Sequence, residues 1–224
     1  MALFPNVEAF ILAGGKSSRM GRDKSLLELD GEPLVQRAAN LLEPLVSKVT
    51  LVISAAPSST PADTNRHSTF GLPTLTDRWP NSGPLGGIAT ALANSQSEWC
   101  LILACDMPCL TKEWIAFLLG KILQLESEDA TSQNKRESSQ QFDVIIPEAS
   151  CGLEPLCAIY RSTCAPILAT ELNRGVRKVT DVLATLNLKR ISESEWRKFS
   201  PDGNLFGNLN TWQDYLEAQE RLKS

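Results

Sequence analysis

The chain of 224 residues has one histidine, His67, and none of its six cysteines forms a C-x-x-C pair. Cys100, Cys105, Cys109, Cys151, Cys157 and Cys164 therefore argue against a zinc site. Several stand in apolar runs, where reduced cysteine serves as a small hydrophobe. Positive charge is also scarce: 22 Lys and Arg against 26 Asp and Glu give a formal net charge of -4. Nucleic-acid surfaces need a basic stripe to displace phosphate counterions, so a small-molecule partner is expected and a nucleic acid is not. No stretch approaches the roughly 20 apolar residues that span a bilayer, so no membrane segment is expected. Met1 to Pro5 shows neither the basic start nor the long apolar stretch of a secretory signal, and a cytoplasmic location follows as the expectation. The remaining composition, 42% hydrophobic and 21% charged, fits one domain over residues 1–224.

Apolar runs and helical periodicity alternate along the chain. Val7 to Ala13 reads as a buried strand ending at Gly14-Gly15, and Pro33 opens a helix carrying Leu34, Val35, Ala38, Ala39, Leu41, Leu42, Leu45 and Val46. Val49 to Ile53 and Leu72 to Thr76 read as strands. After them come Ser82-Gly83-Pro84-Leu85-Gly86-Gly87, an alanine-rich helix to about Asn94, and a strand from Trp99 to Cys105. Thr111 can cap a helix with Trp114, Ile115, Leu118, Leu119, Ile122 and Leu123 on one face. Residues 126–141 are polar and aperiodic and read as a flexible surface insertion. Phe142 to Pro147 and Leu156 to Arg161 are further strands, and Thr211 with Asp214 matches a capping box that opens a last helix. Such alternation predicts an α/β domain with a mainly parallel sheet covered on both sides.

Chemistry concentrates where strands end. Leu12-Ala13-Gly14-Gly15 leaves the first strand at the carboxyl edge, where open α/β sheets bind ligands. Two glycines there let consecutive N–H groups face phosphate oxygens. Lys16, Arg19, Arg22 and Lys24 follow at once in an otherwise acidic chain, a local charge suited to a triphosphate. The segment is not a Walker A loop, because position 10 is Phe10 where that motif needs glycine, and its glycine spacing fails the dinucleotide fingerprint. Asp106 follows the Trp99 strand. A carboxylate at that edge suits Mg²⁺, although an aspartate capping its own turn is the plainer alternative. Asp77 follows another strand and precedes the second glycine-rich segment, whose glycines permit close approach of backbone to a flat base; it can accept hydrogen bonds from a guanine edge, or serve only its turn. Gly175-Val176-Arg177-Lys178 reads as a solvated basic turn whose cations could also meet a phosphate.

These motifs together resemble the molybdenum cofactor guanylyltransferases. The resemblance rests on Leu12 to Gly15, Arg19-Met20-Gly21, Asp23-Lys24, Leu27 to Leu34, Gly83 to Gly87, Cys105 to Pro108, Glu154 to Cys157 and Asn208 to Thr211. It implies a Rossmann-like three-layer sandwich of the nucleotide-diphospho-sugar transferase type. It further implies GTP and molybdenum-bound molybdopterin as substrates, Mg²⁺ as cofactor, and a guanine dinucleotide cofactor with pyrophosphate as products. By the same resemblance Leu12, Ala13, Gly14, Gly15, Lys24 and Asp77 contact the nucleotide, Asp106 holds the metal beside it, and Arg19 grips the departing phosphates. Arg19, Lys24 and Asp106 are thus the expected catalytic set. Ser54 stands where relatives can carry an asparagine that touches the nucleotide, which puts that contact in doubt; Asn208 or Asn210 could add a metal contact. A monomer is expected, in transient contact with proteins that insert or deliver the cofactor. The competing readings are a cytidylyltransferase on the same or another phosphorylated acceptor, and a nucleotide sensor without turnover.

Overall fold

The computed structural model describes residues 3–13, 27–54, 70–131 and 142–223. β1 (Phe4–Leu12) lies near the centre of the main sheet, and its last six residues are buried. Val7, Ala9 and Ile11 belong to one core cluster, Phe10 and Leu12 to the other. Successive strand side chains point to opposite faces, so a continuous apolar run requires cover on both. Helices α1 (Leu34–Leu42) and α3 (Lys112–Thr131) contribute to the first cluster, while α2 (Pro84–Asn94), α4 (Ala165–Asn173) and α5 (Val179–Leu183) contribute to the second. The result is the three-layer arrangement expected from the alternation.

The other strands are β2 (Glu28–Leu29), β3 (Glu32–Pro33), β4 (Val46–Ile53), β5 (Thr74–Thr76), β6 (Trp99–Ala104), β7 (Val144–Ala149), β8 (Gly152–Leu153), β9 (Cys157–Arg161) and β10 (Leu188–Ile191). The main sheet has the order β10-β7-β9-β6-β1-β4-β5, with β8 paired to β7. β1 pairs in parallel with β4 and β6, β4 with β5, and β7 with β10, whereas β9 runs antiparallel to both β6 and β7. β2 and β3 form a separate hairpin whose turn residues, Asp30 (φ 52°) and Gly31 (φ 76°), both take the left-handed conformation that an Asp-Gly pair supplies.

Expected boundaries move at two places. α1 ends at Leu42, so Leu45 lies beyond it and Val46, expected on that helix, opens β4, where its backbone pairs with Phe4. Residues 126–131, assigned to an aperiodic insertion, continue α3. Its apolar stem is already nucleated by packing, and adding polar residues to an existing helix costs far less than starting one. Residues 132–141 lie outside the described region. At the other end of the chain the capping box is present: Asp214 N–H donates to Thr211 Oγ1 at 3.1 Å, and Thr211 N–H to Asp214 Oδ2 at 2.7 Å, at the start of α7 (Trp212–Lys223). A second box, Ser192 with Glu195, starts α6 (Glu193–Trp196). Among the described residues no helix is long and apolar enough to cross a membrane.

Candidate active site

β1, β4, β5 and β6 are parallel, so their carboxyl ends share one edge of the sheet. Leu12 and Ala13 end β1 there; Ala13 N–H donates to Val52 O at 2.9 Å and Cys105 N–H donates to Leu12 O at 3.3 Å. Leu12 is thereby fixed beside the residue preceding Asp106. Gly14, Gly15, Arg19 and Lys24, with Lys16 and Arg22, lie outside the described residues.

Asp77 sits just beyond β5, its N–H donating to Ile53 O at 2.8 Å. Its carboxylate turns back on the fold: Oδ1 accepts from Trp79 N–H at 2.8 Å and from the Thr90 hydroxyl at 3.2 Å, and Thr90 Oγ1 accepts from Arg78 N–H at 3.0 Å. Burial raises its pKa, partly offset by the Trp79 and Thr90 bonds. The adjacent glycines answer to internal packing. A Cβ on Gly86 would stand 2.8 Å from Trp79 O and 2.9 and 3.0 Å from the two Asp77 carboxylate oxygens; one on Gly87 would stand 3.3 Å from Leu12. Gly83, at φ 61°, turns the chain into α2. The close approach expected of a ligand is thus already made by Asp77 and Leu12. A carboxylate has about four lone-pair sites, so Asp77 keeps capacity for further donors.

Asp106 follows β6 and is partly buried. Its carbonyl accepts from Leu209 N–H at 3.0 Å, which ties the C-terminal segment bearing Asn208 and Asn210 to the site. Asn210 N–H donates to Asp214 Oδ2 at 2.8 Å. Leu209 is buried with Leu29, Leu34 and Ala218, and Tyr215 donates from its hydroxyl to Glu28 O at 2.6 Å. The C-terminal segment and helix therefore bind the β2–β3 hairpin and Asp106 in one unit. Sequence reasoning found the capping box but missed this clamp; the Asp-Gly pair at residues 30–31 was the only local signal for the hairpin it grips. Among the described residues there is no group of three or more His, Cys, Asp and Glu side chains suited to a metal, and all six cysteines are free. Cys100, Cys105, Cys157 and Cys164 are buried, in keeping with their reading as small hydrophobes.

Arg177 is bound to main-chain carbonyls near the end of a helix. Its guanidinium donates to Leu172 O at 2.9 Å and Val176 O at 2.8 Å, closing the end of α4, because helix-terminal carbonyls lack partners within the helix. Ser54 directly follows β4 and is exposed.

A family model described as a MobA-like NTP transferase domain matches residues 9–190. A protein of Peptoclostridium acidaminophilum named "Probable molybdenum cofactor guanylyltransferase" is 32% identical over 215 residues, spanning 95% of this chain and 88% of its own. A molybdenum cofactor guanylyltransferase of Desulfosudis oleivorans is 30% identical, over 97% and 96% of the two chains. The crystal structure of molybdopterin-guanine dinucleotide biosynthesis protein A from Archaeoglobus fulgidus superposes with a TM-score of 0.75 at 25% identity, covering 96% of this chain and 98% of that one. With strand ends, the Gly83–Gly87 turn and Asp106 arranged on one edge of a matching fold, the chain belongs to the MobA-like NTP transferase domain family and is a nucleotidyltransferase.

Proposed function

We propose that the protein transfers GMP from GTP to the terminal phosphate of molybdenum-bound molybdopterin, forming the guanine dinucleotide cofactor and pyrophosphate. The observation that carries this reading is the convergence of Leu12, Ala13, Asp106 and the Asn208–Asn210 segment on one sheet edge. Relatives named for this activity align over nearly the whole chain, which supports the choice of substrates.

Asp106 suits Mg²⁺, a hard cation commonly held by one or two carboxylates with water and substrate phosphate filling its other positions. Asn208 or Asn210 would add an amide oxygen. When bound, the ion supplies charge neutralisation at the α-phosphate. The chain's own residues do the rest. Leu12 to Gly15 present main-chain groups to the nucleotide, Lys24 stabilises charge on the reacting phosphate, and Arg19 holds the β and γ phosphates with its planar donor fork. Asp77 accepts from the guanine N–H groups with the lone pairs its turn leaves available. The acceptor phosphate is ionised near neutrality, so its oxygen attacks the α-phosphorus directly, the bond to the β-phosphate oxygen breaks, and pyrophosphate leaves. No histidine base or covalent intermediate is required; alignment and charge stabilisation supply the rate.

The test is pyrophosphate release with each of the four nucleoside triphosphates, with and without the molybdenum-loaded pterin. Release only with GTP and acceptor is the expected result. Preference for CTP would make the protein a cytidylyltransferase, and nucleotide binding without release in any combination would remove the transfer reaction.

A further inference from the structure

Glu154 is distinguished by its place and by how little holds its side chain. Antiparallel β9 enters the sheet at the edge where β6 leaves it: Leu103 pairs with Cys157, and Ala104 N–H donates to Leu156 O at 2.8 Å. Asp106 lies two residues beyond that last pair on one chain, and Glu154 two residues beyond it on the other. The Glu154 main chain is fixed, its N–H donating to Pro147 O at 2.9 Å and its carbonyl accepting from Cys157 N–H at 3.1 Å. β1, β4 and β5 stand on one side of β6; β9 and β7 stand on the other. Glu154 therefore flanks Asp106 on the side away from Leu12 and Asp77. In-line displacement brings the nucleophile in opposite the departing pyrophosphate, so the acceptor needs a surface distinct from that of the nucleotide.

The Glu154 side chain is partly buried, and burial raises its pKa. Among the described residues its carboxylate receives one hydrogen bond, from the Cys151 thiol at 3.5 Å, and a thiol is a weak donor. Other carboxylates are better matched. Glu8 Oε2 accepts from the Ser95 hydroxyl at 2.6 Å and Gln96 N–H at 2.9 Å, and Glu148 pairs with Arg190 at 2.8 Å. Removing a carboxylate from water with so poor a partner opposes folding and is typical of groups that meet a ligand.

We propose that Glu154 recognises the acceptor by its flat ring, accepting two hydrogen bonds from adjacent N–H groups of an amino-substituted lactam heterocycle such as the pyrimidinone half of a pterin. The acceptor's phosphate is repelled by this carboxylate, which leaves the ring, and not the phosphate, facing Glu154. This inference rests on the transfer reaction proposed above and names the residue that would select its acceptor.

The experiment measures steady-state pyrophosphate release against acceptor concentration at saturating GTP, with GTP affinity measured separately by calorimetry. Glu154→Gln keeps the shape but places an amide donor against the ring's donors. It is expected to raise the acceptor KM about tenfold or more, the scale of one charge-assisted hydrogen bond, while GTP affinity stays at the wild-type value. An acceptor analogue lacking the exocyclic amine should be discriminated against by the wild type and not by E154Q. Should Glu154→Ala lower the melting temperature, E154Q and the analogue still decide the matter. Wild-type acceptor KM in E154Q, or equal discrimination by both proteins, overturns the assignment of Glu154 while leaving the transfer reaction standing. Absence of transfer in the wild type overturns the reaction itself.

Discussion

The turns that follow β5 and β6 each carry an aspartate to the same sheet edge, and the main-chain bonds around the two differ. Asp77 is fastened by its side chain, which accepts from Trp79 N–H and the Thr90 hydroxyl and packs against Gly86. Asp106 is placed through its main chain, between the Cys105 N–H bond to Leu12 and its own carbonyl's bond from Leu209. The main-chain bonds at Asp106 do not depend on the identity of its side chain. The Asp77 turn is organised by the carboxylate itself, so mutation at Asp77 mixes stability with binding.

The sharpest test is Asp106→Asn. The Leu209 and Leu12 main-chain bonds survive, so the variant should stay folded and melt cooperatively. Turnover should fall by about 10²–10³-fold or more, the scale of lost charge stabilisation in a site shielded from water, with partial recovery at high Mg²⁺ or with Mn²⁺. A stable variant with wild-type rate and metal dependence would break the comparison on the Asp106 side.

Gly86→Ala probes the other turn. Its new Cβ meets a carbonyl and both carboxylate oxygens at 2.8–3.0 Å, and a loss of about 1–3 kcal/mol in denaturant titration is expected, with weaker nucleotide binding. Unchanged stability would mean that the Asp77 turn is not the rigid unit described.

Asp77→Ala should cost about 1–3 kcal/mol by leaving Trp79 N–H and the Thr90 hydroxyl without their acceptor, whereas Asp77→Asn keeps an oxygen there and should cost less. Both should weaken GTP binding more than CTP binding. The pH dependence separates the two roles. Burial raises the folded pKa of Asp77 above its ordinary value of 3.8, so its contribution favours the fold below 3.8 and is lost as pH rises through the folded value. Asp77→Asn should remove that small decline in urea titrations across this window.

Glu195 provides a reference away from the sheet edge. Burial acts against its ionisation, but bonds from Lys121 and from the Ser192 N–H and hydroxyl outweigh it and bring its pKa from 4.5 down to about 2. Its contribution is present above pH 4.5 and lost as pH falls through about 2. Because the pair is partly exposed, Glu195→Gln should cost under about 1 kcal/mol at neutral pH, in thermal melts, with no change in nucleotide binding.

Much of the molecule was legible from residue order. The runs ending at Ala13, Ile53 and Cys105 marked β1, β4 and β6 because a buried strand must be apolar on both faces, and Thr111 and Asp214 marked helix starts because caps act within one turn. The same local signals placed Leu12, Ala13, Asp77 and Asp106 at the carboxyl edge of the parallel strands. Glycine identity was legible but its cause was not. Gly86 and Gly87 looked like openings for a ligand, while their neighbours are Asp77 and Leu12, 9 and 75 residues away in sequence.

Sequence by itself determined the layer architecture, the family and the sheet edge that carries the candidate residues, since periodicity, turns and short motifs are properties of neighbouring residues. Tertiary structure alone decided the antiparallel entry of β9 that brings Glu154 to that edge, the use of Arg177 as a helix cap, and the clamp from Leu209 and Tyr215 onto Asp106 and the hairpin. Each of these depends on hydrogen bonds whose partners are specified only when the sheet order is known; the hydroxyl of Tyr215 and the carbonyl of Glu28 are separated by 187 residues and joined at 2.6 Å.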